Sequence, residues 1–578
     1  MENLRDLITN SVEKHGAKDA FIVKNKKGEH IHISYIRFYE EIRCLVEVFA
    51  SRGYLGKRVA MIGKNSYEWF LANMAIQLMG GVTIPLDKEL KILELEECLE
   101  RSKADIIFCD EKTEPLIRKI GAGDRVKFQS IINLYTGERE DIRDLVNEGK
   151  NLIDHGANEF EKVEISERET SFLIFTSGTT SNSKVVMLSQ RNIYKDVENT
   201  LLIADISHKD VNFSLLPYHH MLGSIATYLT LATGGTTVFC DGLKYLQKNM
   251  KEYKVTNFLA VPLILEAMYK KVMKTVESNG MSGKLNAIRG ITRGLNLAGI
   301  RPNRKIFKGI LEAFGGELRF LFVGGAPCNP EVIKGFQDFG IQVIQGYGLT
   351  ETSPIIAGER PKQRKIGSVG FPLRDNEIVI ENPNEDGIGE IVVRGPNVMQ
   401  GYYENDSATK AVLNDGWLRT GDLGYFDKDG FLFITGRTKS VIVLKNGKNV
   451  FPEEMEIKIN DLPYCKNNII VGLPNDGDKL DLVVSLKIEY DEEFFKGKSE
   501  PEIRKIIKAD IEKINDTMPS YKRIKRIFIT DKPMEMTTTS KIKRHIEVEK
   551  MLEEEASRNS EKICKINNIK QMYKEKIL

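Results

Sequence analysis

Short apolar runs recur along the first part of the chain, and each is followed by a stretch with helical spacing. "RVAMIG" precedes "SYEWFLANMAIQLMGG", "ADIIFCD" precedes "TEPLIRKI", "VNFSLLP" precedes "SIATYLTLATGG", and "LRFLFVGGAP" precedes "PEVIKGFQDFG". Continuous apolar runs suit strands covered on both faces, so this alternation predicts α/β layers with largely parallel sheets. The helix over 330–339 is the sharpest case: Asn329 can cap its start, Pro330 suits the first turn, and Gly340 can end it. Ligand sites in such sheets form where strands end and loops begin, and the glycines gather there.

After about Pro354 the pattern changes to alternating short strands and turns, as in "NEIVIENPNEDGIGEIVVRGP" and "GYFDKDGFLFITGR", which predicts a β-rich lobe over about 355–437. Another change follows "TGRTKS". The expected organisation is a large N-terminal domain, 1–437, then a small α+β domain, 438–545, built on "NNIIVGL", "LVVSLKI" and "PEIRKIIKADIEKIN". Residues 546–578 read as a charged terminal helix or tail, in which Ile563, Ile566, Ile569, Tyr573 and Ile577 share one face. The fold class is α/β: two α/β sheet lobes and a β-rich lobe, followed by a small mobile α+β domain.

Composition narrows the class. With 578 residues the chain exceeds one compact core. Its 84 Lys+Arg against 82 Asp+Glu leave a formal +2, so nothing global draws it to nucleic acid. Seven cysteines without a CxxC pair suit reduced thiols in a cytoplasmic enzyme. The start, "MENLRDLITNSVEKHG", lacks the pattern of a signal peptide, and no apolar run approaches the ~18–20 residues that cross a bilayer. The expected location is cytoplasmic, with at most peripheral membrane contact.

Candidate chemistry begins at "IFTSGTTSNSKVVMLS", 174–189. Phe172–Phe175 reads as a buried strand, and Thr176, Ser177, Gly178, Thr179, Thr180 and Lys184 present hydroxyls, backbone N–H groups and a point charge beyond its end. That suits polyphosphate. A Walker loop is excluded twice, because Ser183 stands where its second glycine belongs and Val185 where its magnesium-binding hydroxyl belongs. Ser189 can cap the following helix, with Leu188 stapled to Ile193. The tandem His219-His220 invites a zinc reading, but no third ligand stands at usable spacing.

Further motifs follow in order: "PYHHMLG", "VGGAP", "QGYGLTETSP", "GEIVVRGPNVMQGYY", "WLRTGDLG", "GRTKSVIVLKNGKNVFPEEME" and "TTTSKIKR". Together they resemble the adenylate-forming superfamily of acyl-CoA synthetases, peptide-synthetase adenylation domains and luciferases. Within it "RKIFKGILEAFGGELRFLFVGGAP" and "GFQDFGIQVIQGYGLTETSPIIA" are most similar to bacterial long-chain fatty-acid–CoA ligases.

The resemblance implies ATP, Mg2+ and CoA as co-reactants and assigns each motif a task. The loop from Thr176 to Lys184 holds the β- and γ-phosphates. Thr350 contacts the α-phosphate, and Glu351 holds magnesium. Gly325, Ala326, Pro327, Gln345, Gly346 and Tyr347 form the adenine slot. Asp422 accepts from the ribose hydroxyls, with Arg437 assisting. His220 lies beside the carboxylate tunnel. Lys541 completes adenylation on the small domain, which turns about Lys439 and brings Gly447 to the thiol's path.

Serines stand at 181 and 183 and valine at 185 where the family has glycine, proline and glycine. Val185 is expected to constrain the loop and alter pyrophosphate handling. The expected reaction is activation of a medium- or long-chain fatty acid and transfer to CoA. Alternatives are transfer to an acyl carrier protein, activation of a non-lipid acid, or a degenerate nucleotide-binding protein.

Overall fold

In this computed structural model the described residues are 3–135, 140–176, 184–297, 302–445, 448–475, 478–536 and 542–557. The chain divides into two compact units, Met1–Ile378 with Val393–Leu418, and Val379–Val392 with Arg419–Leu578.

The first unit contains two sheets. One has seven strands in the order Gly401–Tyr402, Val185–Ser189, Thr170–Phe175, Val82–Leu86, Arg58–Ile62, Ile106–Cys109 and Ser130–Asn133. From Thr170–Phe175 onward neighbours are parallel, and Val59, Ala60, Met61, Ile62 and Ile106–Cys109 are all buried. Apolar residues at consecutive positions are what two-sided cover requires. The helix Tyr67–Leu78, capped by Ser66 on Trp69 N–H, is buried on nearly every side. It shares one core cluster with Phe21 and Phe108, one from each sheet, and with Tyr228 of the helix Met221–Thr233.

The second sheet has nine strands in the order Phe371–Pro372, Ile355–Gly358, Gln342–Gly348, Phe320–Val323, Asn257–Ala260, Val211–Ser214, Thr236–Phe239, Asp19–Lys24 and His30–Ser34. Its inner strands are parallel. From Val211–Ser214 the chain crosses first to Thr236–Phe239 on one side, then to Asn257–Ala260 on the other. That reversal opens a crevice beyond the carboxyl ends of the strands, the usual ligand position in open α/β sheets. The segment holding His219 and His220 leaves Ser214, and the "GGAP" segment leaves Val323. The helix Pro330–Asp338 forms as its caps predict: Asn329 accepts from Glu331 N–H, and Gly340 follows with φ +84°.

The second unit carries most of a five-stranded sheet that includes Trp417–Phe426 and Leu432–Arg437. Its other sheet has three strands, Cys465–Asn475, Asp478–Tyr490 and Arg526–Thr530. The helices Pro452–Asn460 and Glu500–Asp516 close over one face, burying Met455, Ile459, Ile503 and Ile507. The helix Arg544–Ser557 covers another cluster with Val548, Met551 and Leu552. Thus the segment after 545 begins as a core helix; the expected apolar stripe 563–577 lies outside the described residues.

Candidate active site

The hydroxyl-rich segment joins two antiparallel strands, Thr170–Phe175 and Val185–Ser189. Phe175 pairs with Val185, and Thr176 donates from N at 3.0 Å and from Oγ1 at 3.2 Å to the Lys184 carbonyl, closing the loop at its base. Ser177, Gly178, Thr179 and Thr180, with Ser181 and Ser183, lie outside the described residues. Val185 is a strand residue, 2% exposed. The expectation that it constrains the loop is therefore corrected: a β-branched side chain suits a buried strand, and its stiffness acts below the loop. Ser189 accepts from Asn192 N–H and caps the next helix as expected.

Just before Val185–Ser189, Lys184 reaches over the ring of Tyr402, with Nζ 4.4 Å from the centroid. The Tyr402 hydroxyl donates to Glu351 Oε1 at 3.0 Å. Strand pairing of Tyr402 with Val186 and a Met399 N–H bond to the Glu351 carbonyl at 2.8 Å fix this meeting of three motifs. Burial, then the Glu351 charge and the bond to it, push the Tyr402 phenol well up, so it donates as neutral O–H. Glu351 is half-buried, and no described cation pairs with its carboxylate. One hard carboxylate with lone pairs to spare fits a magnesium ion that keeps phosphate and water ligands.

Glu351 and Thr350 sit in a single 3-10 turn, Thr350–Thr352. That turn is clamped from behind. Asn397 Nδ2 donates to the carbonyls of Thr352 at 2.8 Å and Ile355 at 2.6 Å, while Ser353 Oγ donates to the Asn397 carbonyl at 2.9 Å. Asp196, on the helix Gln190–Leu201, accepts the Ile355 N–H at 3.0 Å through Oδ1. Its other oxygen is buried without a partner among the described residues. Burial pushes this carboxyl well above its ordinary value, only partly opposed by the Ile355 and Asn397 bonds.

The "GGAP" and "QGYG" segments stand side by side, because Val323 pairs with Gln345 in parallel strands. Gly325, Ala326 and Pro327 are exposed at the strand end. Gly325 has φ +83°, and a Cβ there would meet only Leu222 and Val261 at 3.8 and 3.9 Å. Backbone without side chains at Gly324, Gly325 and Gly346 suits close approach of a planar group, with the Gly346 carbonyl oxygen 3.5 Å from a Cβ at Gly324 and Tyr347 the next residue along the strand. Glu359 steadies this wall: it accepts the N–H groups of Gln345 at 2.9 Å and Lys365 at 3.1 Å, and burial pushes its carboxyl up to about 7. Cys328, next to Pro327, is buried, and its thiol is pushed up to about 12 by burial.

His220 stands at the N-cap of the helix Met221–Thr233, whose Leu222 borders the slot. Only glycine fits at 223, where a Cβ would lie 2.2 Å from the Pro217 carbonyl oxygen. The two histidines differ. His219 points inward, with Nε2 3.6 Å from Asp87 Oδ2, and burial with Lys88 nearby pushes it down to about 4. It is neutral at pH 7.

In the second unit Asp422 and Arg437 pair across antiparallel strands, with Arg437 Nε donating to Asp422 Oδ1 at 2.9 Å. Asp422 is buried, Arg437 exposed. Lys439 is exposed just past the strand Leu432–Arg437. Gly447 lies outside the described residues, between the paired strands Ile442–Val443 and Asn449–Val450. Lys541 also lies outside them, but its segment is closed at the base by the Met536–Ile542 bridge and a Lys543 N–H bond to the Glu535 carbonyl at 2.8 Å. Glu547 anchors that base, accepting from Glu535 N–H at 3.0 Å, Lys487 Nζ at 2.6 Å and Lys550 Nζ at 2.8 Å.

Tyr402, Asp196, Asn397, Glu359 and Glu547 are the supporting residues that motif reading missed. Tyr402 and Asn397 carried a signal, both being inside the quoted "GEIVVRGPNVMQGYY".

Comparison with known proteins agrees with this geometry. Residues 8–403 match the family described as AMP-binding enzyme, and residues 439–557 match the AMP-binding enzyme C-terminal domain. The long-chain-fatty-acid–CoA ligase FadD15 of Mycobacterium bovis is 27% identical over 532 residues, covering 86% of each chain. The chloroplastic long-chain-fatty-acid–[acyl-carrier-protein] ligase AEE15 of Arabidopsis thaliana is 24% identical, covering 95% of this chain and 85% of that one. The anthranilate CoA ligase AuaEII, solved with anthranoyl-AMP, superposes with a TM-score of 0.75 at 18% identity over 94% of this chain and 96% of its own. A family match across more than half of the sequence, on a fold of this architecture, establishes that the chain belongs to the AMP-binding enzyme family of adenylate-forming acid ligases, which work with ATP, Mg2+ and CoA.

Proposed function

We propose that the chain converts a medium- or long-chain fatty acid, ATP and CoA into acyl-CoA, AMP and pyrophosphate. The observation that carries the chemistry is the Lys184–Tyr402–Glu351 set, which joins a cation for the leaving phosphates to a carboxylate for their metal beside a glycine-walled slot. The acyl class is supported by the similarity to long-chain ligases.

In the first half-reaction a carboxylate oxygen attacks the α-phosphorus, the bond to the bridging oxygen breaks, and pyrophosphate leaves with the charge. Lys184 and the loop 176–180 grip the leaving group. Thr350 donates to the α-phosphate, and Lys541 bridges the attacking carboxylate and an α-phosphate oxygen, favouring the transition state. Mg2+ held at Glu351 supplies positive charge to the phosphate oxygens. The slot at Gly325, Ala326, Pro327, Gln345, Gly346 and Tyr347 takes the adenine, Asp422 with Arg437 takes the ribose, and His220 borders the carboxylate. In the second half the CoA thiolate adds to the acyl carbonyl, the tetrahedral intermediate expels AMP, and a thioester remains. Turning at Lys439 withdraws Lys541 and presents the Gly447 turn to the thiol.

The test is acid-dependent exchange of labelled pyrophosphate into ATP across acids of increasing chain length, then thioester formation with CoA. Exchange that rises with chain length and disappears in Lys541→Ala is expected; exchange only with short aromatic acids would overturn the acyl assignment. Similarity to the carrier-protein ligase favours a second reading, in which phosphopantetheine on a carrier protein accepts the acyl group. Thioester on a carrier protein but not on CoA selects it.

A further inference from the structure

Charge is unevenly spread along this chain. The 66 residues 243–308 hold 14 lysines and arginines against three acids, while the remainder holds 70 against 79. The described helices of this segment form one layer. The helices Leu246–Glu252, Pro262–Ser278, Ser282–Leu297 and Lys308–Ala313 bury Met250, Leu265, Met268, Val272, Leu285 and Leu311 in a single cluster against the nine-stranded sheet. With their apolar faces thus used, their outward faces carry the cations.

Ten lysines of the segment are exposed, and none forms an ion pair with a carboxylate among the described residues. Arg289 and Arg293, by contrast, are spent on Asp338. Apolar side chains stand among these lysines: Leu243 is 66% exposed, Tyr245 44%, Leu263 41%, Met281 49%, Ile291 63% and Ile306 44%. They are six of the fifteen large apolar side chains exposed among the described residues, concentrated in about a ninth of the sequence. Unpaired lysines alone would mark any polyanion. Leucine, isoleucine and methionine set among them instead match the boundary between headgroups and acyl chains, where apolar tips enter and lysines meet anionic headgroups. No described helix is long and apolar enough to cross a bilayer, so contact is from one side.

We propose that the outer face of this layer, from Leu243 to Lys308, docks the protein on an anionic phospholipid surface. The surface reaches the site, since exposed Leu263 follows by two residues Val261, which borders the adenine slot. An acid dissolved in the bilayer is then delivered where it is used. Docking itself does not depend on which acid is activated, so the two readings fail separately.

The test uses the full chain and vesicles of phosphatidylcholine, alone or mixed equally with phosphatidylglycerol, in cosedimentation at low and high salt. Binding to the anionic vesicles, weakened by salt, is expected. Lys244→Glu, Lys248→Glu, Lys270→Glu and Lys274→Glu together lower it at least about tenfold. Leu243→Ser with Ile291→Ser weakens it at every salt concentration. Both variants keep the wild-type melting temperature and the wild-type rate on a water-soluble acid without vesicles. Equal binding to neutral and anionic vesicles, or no binding, overturns the proposal. So does a lysine variant that still binds vesicles but loses transfer to an acidic carrier protein, which would make this a protein-docking face.

Discussion

Asp196, behind the Thr350–Glu351 turn, and Glu547, behind the segment that carries Lys541, are buried carboxyls that each accept a backbone N–H from the piece they hold. Their surroundings are opposite. Asp196 has no cation beside it among the described residues, and burial pushes its carboxyl well above the ordinary value. Burial presses Glu547 the same way but is outweighed by the Glu535 N–H, Lys487 and Lys550, which hold it below the ordinary carboxylate value. One support is a hydrogen-bonding carboxyl raised by burial and the other a carboxylate lowered by its ion pair, so the two respond to substitution and to pH in different ways.

The largest expected effect comes from stranding the ion pair. The Lys487 and Glu547 side chains are 9% and 1% exposed. Lys487→Met leaves a buried charge with a poorer partner and should destabilise the second unit by about 3–5 kcal/mol in denaturant titration. A loss under about 1 kcal/mol would mean that Lys550 alone balances Glu547.

Next comes Asp196. Asp196→Leu leaves the Ile355 N–H unsatisfied and should cost about 1–3 kcal/mol together with much of the pyrophosphate exchange. Asp196→Asn keeps an acceptor for that N–H and should retain both. If Asn behaves like Leu, the carboxyl is needed for more than hydrogen bonding.

The pH dependences should run in opposite directions. A carboxyl raised in the folded state contributes stability that is full below the ordinary carboxylate range and is lost as pH rises through the folded value. The melting temperature of wild type relative to Asp196→Asn should therefore fall with rising pH. Glu547 is lowered in the folded state, so its contribution is present above the ordinary range and is lost as pH falls below it. The deficit of Glu547→Gln should shrink in acid. Glu359 follows Asp196 in a more accessible window: its contribution fades between about 4.5 and about 7, and Glu359→Gln should flatten that slope.

The smallest effect probes the front of Glu351. Tyr402→Phe keeps the ring under Lys184 and removes only the hydroxyl bond to Glu351. The Mg2+ concentration for half-maximal exchange should rise about tenfold, with little change in stability. An unchanged requirement would assign the phenol to packing alone.

The layered fold was legible because its strands are apolar at consecutive positions and its helices carry ordinary caps, as at Ser189 and Asn329. The residues expected to touch nucleotide were legible as ordered motifs. Most of their supports were not, and for Asp196 and Glu547 the reason is sequence distance: Asp196 serves Ile355, 159 positions on, and Glu547 is charge-balanced by Lys487, 60 positions back. The helix Gln190–Leu201 shows the physical reason. Gln190, Asn192, Asp196, Asn199 and Thr200 are polar yet buried, so a polar stripe that periodicity assigns to solvent faces the interior. Val185 misled in the other direction, since a residue judged against a loop pattern belongs to a strand.

An enzyme that makes acyl-adenylates must keep them from its own nucleophiles. Cys328 directly follows Pro327, proposed above to border the adenine, yet its thiol is pushed up to about 12. At neutral pH that leaves about a thousandfold less thiolate than an ordinary cysteine presents. Buried at this position, the cysteine should resist iodoacetamide until the chain unfolds.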